Sequence, residues 1–330
     1  MILLWGIPSD GPLRSVERAL YCAGAPVAFL DQRAVLDTEI ELVVDGTVAG
    51  HLRVGDQRIS LGDLTAAYLR PMETRRMPAV LQAGANSAEE GYALSVEDAL
   101  ISWAELTPAR VLNRFSAMAT NTSKPYQAAL IREHGFVVPE TLITTDPEAI
   151  HEFRARHGEV IYKSVSGTRS VVSRLGPEQL TRMDDLHWCP TQFQEYIPGI
   201  DHRVHVVGDE VFSCQIRSTA DDFRYAARQG GETEMHACEL PEDCAARCRT
   251  LSASLGLPLA GIDLRLTPDG DWCCFEVNPS PGFTYFQEAT GQRIDEAVAR
   301  YLMVGLKPGS MAPNAASAPP AGPRSARSPG

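Results

Sequence analysis

Residues 260–279 read AGIDLRLTPDGDWCCFEVNP, and both the fold and the chemistry of the chain turn on how this stretch pairs with itself. Ile262, Leu264 and Leu266 alternate with other residues, Pro268-Asp269-Gly270 is a turn signal, and Cys273, Phe275 and Val277 alternate after it. That is the pattern of a β-hairpin. A loop centred on Asp269-Gly270 places Asp263 directly opposite Glu276. Asn278 follows on the same face, because strand side chains repeat every second residue. Two carboxylates facing across a ladder repel each other. A hard cation removes the conflict, and two carboxylates plus an amide oxygen suit Mg²⁺, which takes few protein ligands and leaves room for substrate phosphates. The alternative is a solvated strand face on which these groups point at water.

Upstream, Glu159 to Lys163 reads as a strand, Ser164 to Arg169 as a polar loop containing Gly167, and Ser170 to Arg174 as a returning strand. Such a unit can fold over phosphates, with backbone N–H groups and Lys163 supplying positive field; a surface hairpin with a solvated lysine is the bland alternative. Thr191 to Tyr196 is expected as a strand, and His202 to Val207 with Val211 to Ile216 as a hairpin about Gly208-Asp209. Asp221 to Gly231 reads as a mobile loop, Pro241 to Leu255 as a helix and Ile294 to Val304 as a closing helix. Before these, Ser123 is placed to cap a helix from Lys124 to His134 with Pro125 in its first turn. Phe136 to Thr144 reads as extended, and Asp146-Pro147 opens a helix to His157.

The chain begins as β-α-β: a strand at Ile2 to Trp5, a loop from Gly6 to Pro12, a helix from Leu13 to Gly24 and a strand at Val27 to Leu30. Three short antiparallel strands follow at Glu39 to Val44, Val48 to Val54 and Arg58 to Leu61, then a strand at Ala66 to Leu69. A long helix from Ala88 to Leu106 and a strand at Val111 to Asn113 complete this part. Gly6 and Gly11 alone do not make a dinucleotide fingerprint.

With 330 residues, 44% hydrophobic and 22% charged, the chain has the composition of a globular protein of two or three domains. It offers no long apolar run and no signal peptide, so no membrane association is expected and the cytoplasm is the expected location. A net charge of −12 argues against nucleic-acid binding and tolerates a basic peptide. The eight cysteines are expected as free thiols. His236, Cys238, Cys244 and Cys248 lack a C-x-x-C pair, which disfavours zinc. From Lys307 the sequence collapses to Pro, Ala, Ser and Gly, the composition of a disordered tail.

An ordered set of motifs runs through Asn113 to Leu306: Val-Ile-Tyr-Lys163, the Gly167 loop, Gln-Glu195-Tyr196-Ile197, Asp201-His-Arg203, Asp222-Phe-Arg224, Gly-Ile-Asp263-Leu and Glu276-Val-Asn278-Pro. Together they resemble the ATP-grasp carboxylate–amine ligases of the RimK type. The resemblance implies an ATP-grasp fold, α/β and α+β, preceded by a small pre-ATP-grasp α/β domain. Residues 1–110 would form that first domain and 111–190 the first ATP-grasp subdomain with its phosphate loop. Residues 191–306 would form the second subdomain with the metal hairpin, and 307–330 the tail.

It further implies that Lys163 and Gly167 meet the phosphates of ATP, with Lys124 a further basic group nearby. Backbone groups of Glu195, Tyr196 and Ile197 would hold adenine, and Asp201 the ribose. Arg203 and Arg224 would stabilise the phosphoryl group and the acyl phosphate as it forms. Asp263, Glu276 and Asn278 would ligate Mg²⁺, with two ions or Mn²⁺ as variants. Two residues past Arg224, Ala226 stands where the family often has a polar residue, so one nucleotide contact is expected to be missing.

In this chemistry a carboxylate attacks the γ-phosphate of ATP, and an amine or hydroxyl then displaces phosphate from the acyl phosphate. The first part of the chain, through Phe29-Leu-Asp31, Tyr68-Leu-Arg70, Asn113-Arg114 and Ser123-Lys-Pro-Tyr-Gln127, is most similar to the graspetide (microviridin-type) maturases, which act on a ribosomally made peptide. The segment Ser280-Pro-Gly-Phe-Thr-Tyr285-Phe286 departs from their tryptophan-containing pattern. A peptide or protein substrate is therefore the leading expectation, free amino acids or small metabolites the second, and a non-catalytic nucleotide-binding scaffold the third. A homo-oligomer is the family expectation.

Overall fold

The computed structural model of the protein describes residues 1–164, 172–218 and 233–306. Gly167, Asp222, Arg224, Ala226, the expected loop 221–231 and the tail 307–330 lie outside the described residues.

The chain opens with strand β1 (Ile2–Gly6), helix α1 (Gly11–Cys22) and strand β2 (Val27–Asp31). The helix starts two residues earlier than its apolar period suggests. Asp10 is the reason: its carboxylate accepts the Leu13 N–H at 2.8 Å, and Pro12 sits in the first turn, where a missing N–H costs nothing. Strands β3 (Thr38–Asp45), β4 (Thr47–Val54) and β5 (Gln57–Ser60) form a separate antiparallel meander. Next come β6 (Ala66–Arg70), α2 (Pro78–Ala83), α3 (Ala88–Leu106) and β7 (Arg110–Leu112).

Strands β2-β1-β6-β7 make a parallel sheet in that order. Its alternating residues divide between two cores. Leu3, Trp5, Leu30, Ala67 and Leu69 pack with Val96, Leu100 and Trp103 of α3 and with Leu52 and Ile59 of the meander. Ile2, Leu4, Ala66, Tyr68 and Leu112 pack with α1 and with residues from the far end of the chain.

The next elements are α4 (Phe115–Met118), α5 (Lys124–Glu133), β8 (Thr141–Thr144), α6 (Pro147–His157), β9 (Val160–Ser164), β10 (Ser173–Arg174), α7 (Pro177–Leu180) and β11 (Thr191–Glu195). Ser123 occupies the cap position of α5 but makes no side-chain cap bond, a departure from expectation. Asp146 does cap α6, accepting the Glu148 N–H at 3.0 Å. Of the expected extended run 136–144, only its last four residues form a strand, and Val137 makes a lone bridge to Cys273. The sheet β10-β9-β11-β8 is backed by Ile150 and Phe153 of α6 in a core of its own.

The rest comprises β12 (Ile200–Val207), β13 (Glu210–Ser218), β14 (Thr233–Cys238), α8 (Glu242–Ser254), β15 (Leu259–Leu266), β16 (Trp272–Asn278), α9 (Thr284–Thr290) and α10 (Ile294–Met303). Strands β14-β13-β12-β15-β16 form an antiparallel sheet. One face, with Val204, Val206, Ile262, Leu264 and Val277, packs on α5 and α8. Cys244 and Cys248 are buried in that apolar layer, which accounts for them as core thiols. The opposite face carries the polar residues.

The hairpin β15–β16 pairs less simply than its alternation suggests. Near the turn Leu266 opposes Trp272 and Arg265 opposes Cys273, and that register continued would bring Asp263 opposite Phe275. A bulge after Asp263 shifts the pairing by one, so that Asp263 opposes Glu276 and Gly261 opposes Asn278. The expected carboxylate pair therefore forms, through an irregularity that the turn alone does not reveal. Cys274 and Val277, not Cys273 and Phe275 with Val277, share the core layer.

No described helix is long and apolar enough to cross a membrane.

Candidate active site

Three strands set one row of charge. Arg203 on β12 opposes Asp263 on β15, and Asp263 opposes Glu276 on β16. Arg203 is buried and donates from Nη1 to Asp263 Oδ1 at 2.6 Å. Its guanidinium also lies 5.7 Å from the Phe286 ring centroid, a cation–π distance. Beyond it His205 is buried between Phe283 and Phe286. Burial, reinforced by the Arg203 charge, holds its pKa well below the ordinary value, so the imidazole is neutral.

Lys124 approaches the other end of the row from the start of α5, with Nζ 2.5 Å from Glu276 Oε2. Burial alone would raise the Glu276 pKa. Lys124, through its charge and its hydrogen bond, and then Lys163 and Arg203 outweigh that, and the carboxylate is held below its ordinary range. Lys163, on β9 of a different sheet, thus reaches this carboxylate with its field. Asn278 continues the face, and its Oδ1 accepts the Ser280 N–H at 2.9 Å.

The donor set is all oxygen: two carboxylates and an amide. That fits a hard divalent cation such as Mg²⁺, and the basic groups around it fit the phosphates such a cation would accompany. Gly261 is needed here. A Cβ at that position would sit 2.2 Å from Arg203 Nη2 and 2.7 Å from Pro281 Cβ.

A second group lies one pleat along the same face. Arg265 grips Asp201 with two bonds, Nε to Oδ1 at 2.7 Å and Nη2 to Oδ2 at 3.0 Å, and donates to the Ile197 carbonyl at 2.7 Å. Tyr196 lies beneath the Arg174 guanidinium at 4.2 Å, and its N–H is bonded to the Glu159 carbonyl. Glu195 accepts the Glu140 N–H at 2.7 Å and lies 3.3 Å from His157 Nδ1. The backbone from Glu195 to Ile197 is thereby fixed between two sheets.

The structure thus brings together Lys124, Arg203, Asp263, Glu276 and Asn278, and beside them Glu195, Tyr196, Ile197 and Asp201. Sequence reasoning passed over Arg265, although its place two residues after Asp263 puts it on the same strand face. Gln127, Asn113 and Arg70 stand in segments that resemble the family, with no role of their own implied there. Nothing local in the sequence shows that they reach residues more than a hundred positions away.

A family model described as a RimK-like ATP-grasp domain matches residues 122–302, more than half the chain. Among curated proteins, beta-citrylglutamate synthase B of Homo sapiens is 26% identical over 316 residues, covering 92% of this chain and 77% of that protein. N-acetylaspartylglutamate synthase A of Mus musculus is 26% identical over 310 residues, 90% of this chain and 76% of its own. Among solved structures, the ATP-grasp ligase PsnB complexed with a phosphomimetic variant of its minimal precursor, Mg and ADP superposes with a TM-score of 0.77. It is 28% identical, with 92% of this chain and 97% of that one covered. The macrocyclase MdnC of Microcystis aeruginosa MRC, bound with precursor peptide MdnA, shares the fold at a TM-score of 0.73 and 22% identity, over 91% and 98% of the two chains. The order of the motifs, the charged row and the family match agree, and this chain belongs to the RimK-like ATP-grasp family.

Proposed function

We propose that the protein is an Mg-ATP-dependent ligase that activates a carboxylate of a ribosomally made peptide or protein and joins it to an amine or hydroxyl. The observation that carries this reading is the row Arg203–Asp263–Glu276 with Lys124 against it, in a chain of the RimK-like ATP-grasp family. The attacking carboxylate oxygen forms a bond to the γ-phosphorus of ATP as the bond to ADP breaks. The amine or hydroxyl then bonds to the acyl carbon, phosphate leaves, and the nucleophile gives up its proton.

Asp263, Glu276 and Asn278 would hold Mg²⁺, which when bound neutralises charge on the transferring group. Two ions, or Mn²⁺ in its place, belong to the same proposal. Arg203, set rigidly beneath Phe286, would stabilise the phosphoryl oxygens, and Arg224 joins it on the family resemblance. Lys124, Lys163 and Gly167 would face the phosphates. Glu195 to Ile197 would line the adenine, and Asp201, oriented by Arg265, would meet the ribose. A homo-oligomer in the cytoplasm completes the reading, and the division into a pre-ATP-grasp domain (1–110) and two ATP-grasp subdomains (111–190 and 191–306) belongs to the same proposal.

The peptide substrate is supported by the likeness to PsnB, solved with its minimal precursor. A second reading, a ligase for free amino acids or small metabolites, is favoured by the synthase names of the curated relatives. Mass spectrometry of candidate peptides incubated with Mg-ATP separates the two. Loss of one water per bond formed, with matching ADP release, is expected. Saturable ADP release with free amino acids and unmodified peptides would replace the first reading by the second.

A further inference from the structure

The segment that carries Glu276 and Asn278 is held by side chains from outside its own hairpin. Gln127 of α5 takes both backbone groups of Val277, donating to its carbonyl at 2.8 Å and accepting its N–H at 2.9 Å. Asn113, just past β7, donates to the Pro279 and Leu259 carbonyls at 2.6 Å each. Arg70, the last residue of β6 and mostly buried, donates from Nη1 to Ser280 Oγ at 3.0 Å and to the Pro281 carbonyl at 3.2 Å. Its Nε is fixed on Asp10 Oδ1 at 2.8 Å, and Asp10 is in turn the cap of α1.

Ser280 is also the residue whose N–H holds the Asn278 amide oxygen. A carbonyl oxygen has two lone pairs, so that bond orients the amide and leaves the second pair for a cation. A continuous path therefore runs from the cap of α1 through Asp10, Arg70 and Ser280 to Asn278.

We propose that Arg70 is a positioning residue for the metal site: by fixing Ser280 from the C-terminal end of β6 in the first sheet, it sets the direction of the Asn278 amide oxygen. This rests on the reading above that Asp263, Glu276 and Asn278 hold Mg²⁺. Arginine suits the task because its planar fork serves Asp10, Ser280 and Pro281 at once, whereas a lysine offers a single point of charge. Groups one step behind a metal ligand typically alter metal affinity by about 10–100-fold when removed.

The test is calorimetric binding of ADP to the full chain over a series of Mg²⁺ concentrations, and again in chelator. In Arg70→Met the Mg²⁺ concentration for half-maximal tightening should rise about tenfold or more, with ADP affinity in chelator unchanged. Ser280→Ala, which leaves the first sheet untouched, should move the same midpoint in the same direction. The double variant should be no worse than Arg70→Met, since both changes break one link. If Arg70→Met does not fold, Ser280→Ala decides. Midpoints that stay at the wild-type value while wild type responds to Mg²⁺ would overturn the proposal alone. Wild-type ADP binding indifferent to Mg²⁺ would overturn it together with the metal reading beneath it.

Discussion

Glu276 sits under opposed pressures. Burial favours its neutral form, and the Lys124 contact at 2.5 Å, with Lys163 and Arg203 behind it, favours the charged one and prevails. A carboxylate whose pKa is lower folded than unfolded stabilises the fold above its unfolded pKa, and that contribution is lost as pH falls through the folded value. Wild type should therefore lose stability faster than Glu276→Gln as pH drops below about 4.5. Denaturant melts of both proteins across that range measure it, and parallel curves would show that the charge adds nothing to the fold. At neutral pH the same variant should cut ATP-dependent turnover by about a hundredfold or more, the scale of lost electrostatic stabilisation at a reacting centre. Near-normal turnover would remove Glu276 from the metal site.

At the scale of the element, the hairpin shows what sequence patterning conveys and what it omits. Alternation and the Pro268-Asp269-Gly270 turn predict Asp263 opposite Glu276, and the two residues do oppose each other. The bulge that makes this possible was not legible, because an extra residue in a strand has no composition of its own. The long helix Ala88–Leu106 matched its sequence bounds because Ser87 caps it, its side chain accepting the Glu90 N–H. Short helices such as Thr284–Thr290 have too few turns to show a period, and this one supplies Phe286 to the site. Family motifs named Lys124, Arg203 and the carboxylates. They said nothing of the Arg265 grip on Asp201, which is a tertiary contact between strands.

Two changes probe the hairpin directly. Gly261→Ala should force Arg203 off Asp263, since the new Cβ would overlap the guanidinium. We expect a destabilisation of about 1–3 kcal/mol with turnover falling further than the stability loss explains, checked by melts beside steady-state rates. Gln127→Ala should leave the buried Val277 N–H and carbonyl without their partner. A cost of about 1–3 kcal/mol follows from the unmet groups, and an unshifted melt would mean that another donor replaces the glutamine.

Over the whole molecule, the first sheet and the site-bearing sheet share a core. Ile2, Leu4 and Tyr68 from the first pack in one cluster with Val207 and Leu259 from the second, and α10 supplies Val298 and Leu302 between them. Arg110 at the head of β7 donates to the carbonyls of Tyr301 and Val304 at the end of that helix. Leu302→Ala should cost about 2–5 kcal/mol and be felt on both sides of the seam. In a background whose only tryptophans are Trp5 and Trp103, both in the core of the first sheet, fluorescence should report the same shift as circular dichroism of the whole chain. An unmoved tryptophan transition would show that the first sheet melts independently. The sheet β10-β9-β11-β8 has its own core and is expected to follow less closely.

The last helix also limits how the protein could be re-engineered. Because α10 closes the hydrophobic face of the first sheet while lying after the metal hairpin in sequence, no single cut separates the two. A chimera that grafts a foreign front end at residue 110 would inherit a helix shaped for another sheet, and Ser280 and Pro281 would lose the Arg70 contacts that the original front supplies. A working graft has to exchange the front sheet and the closing helix as a pair, two inserts with the metal hairpin between them.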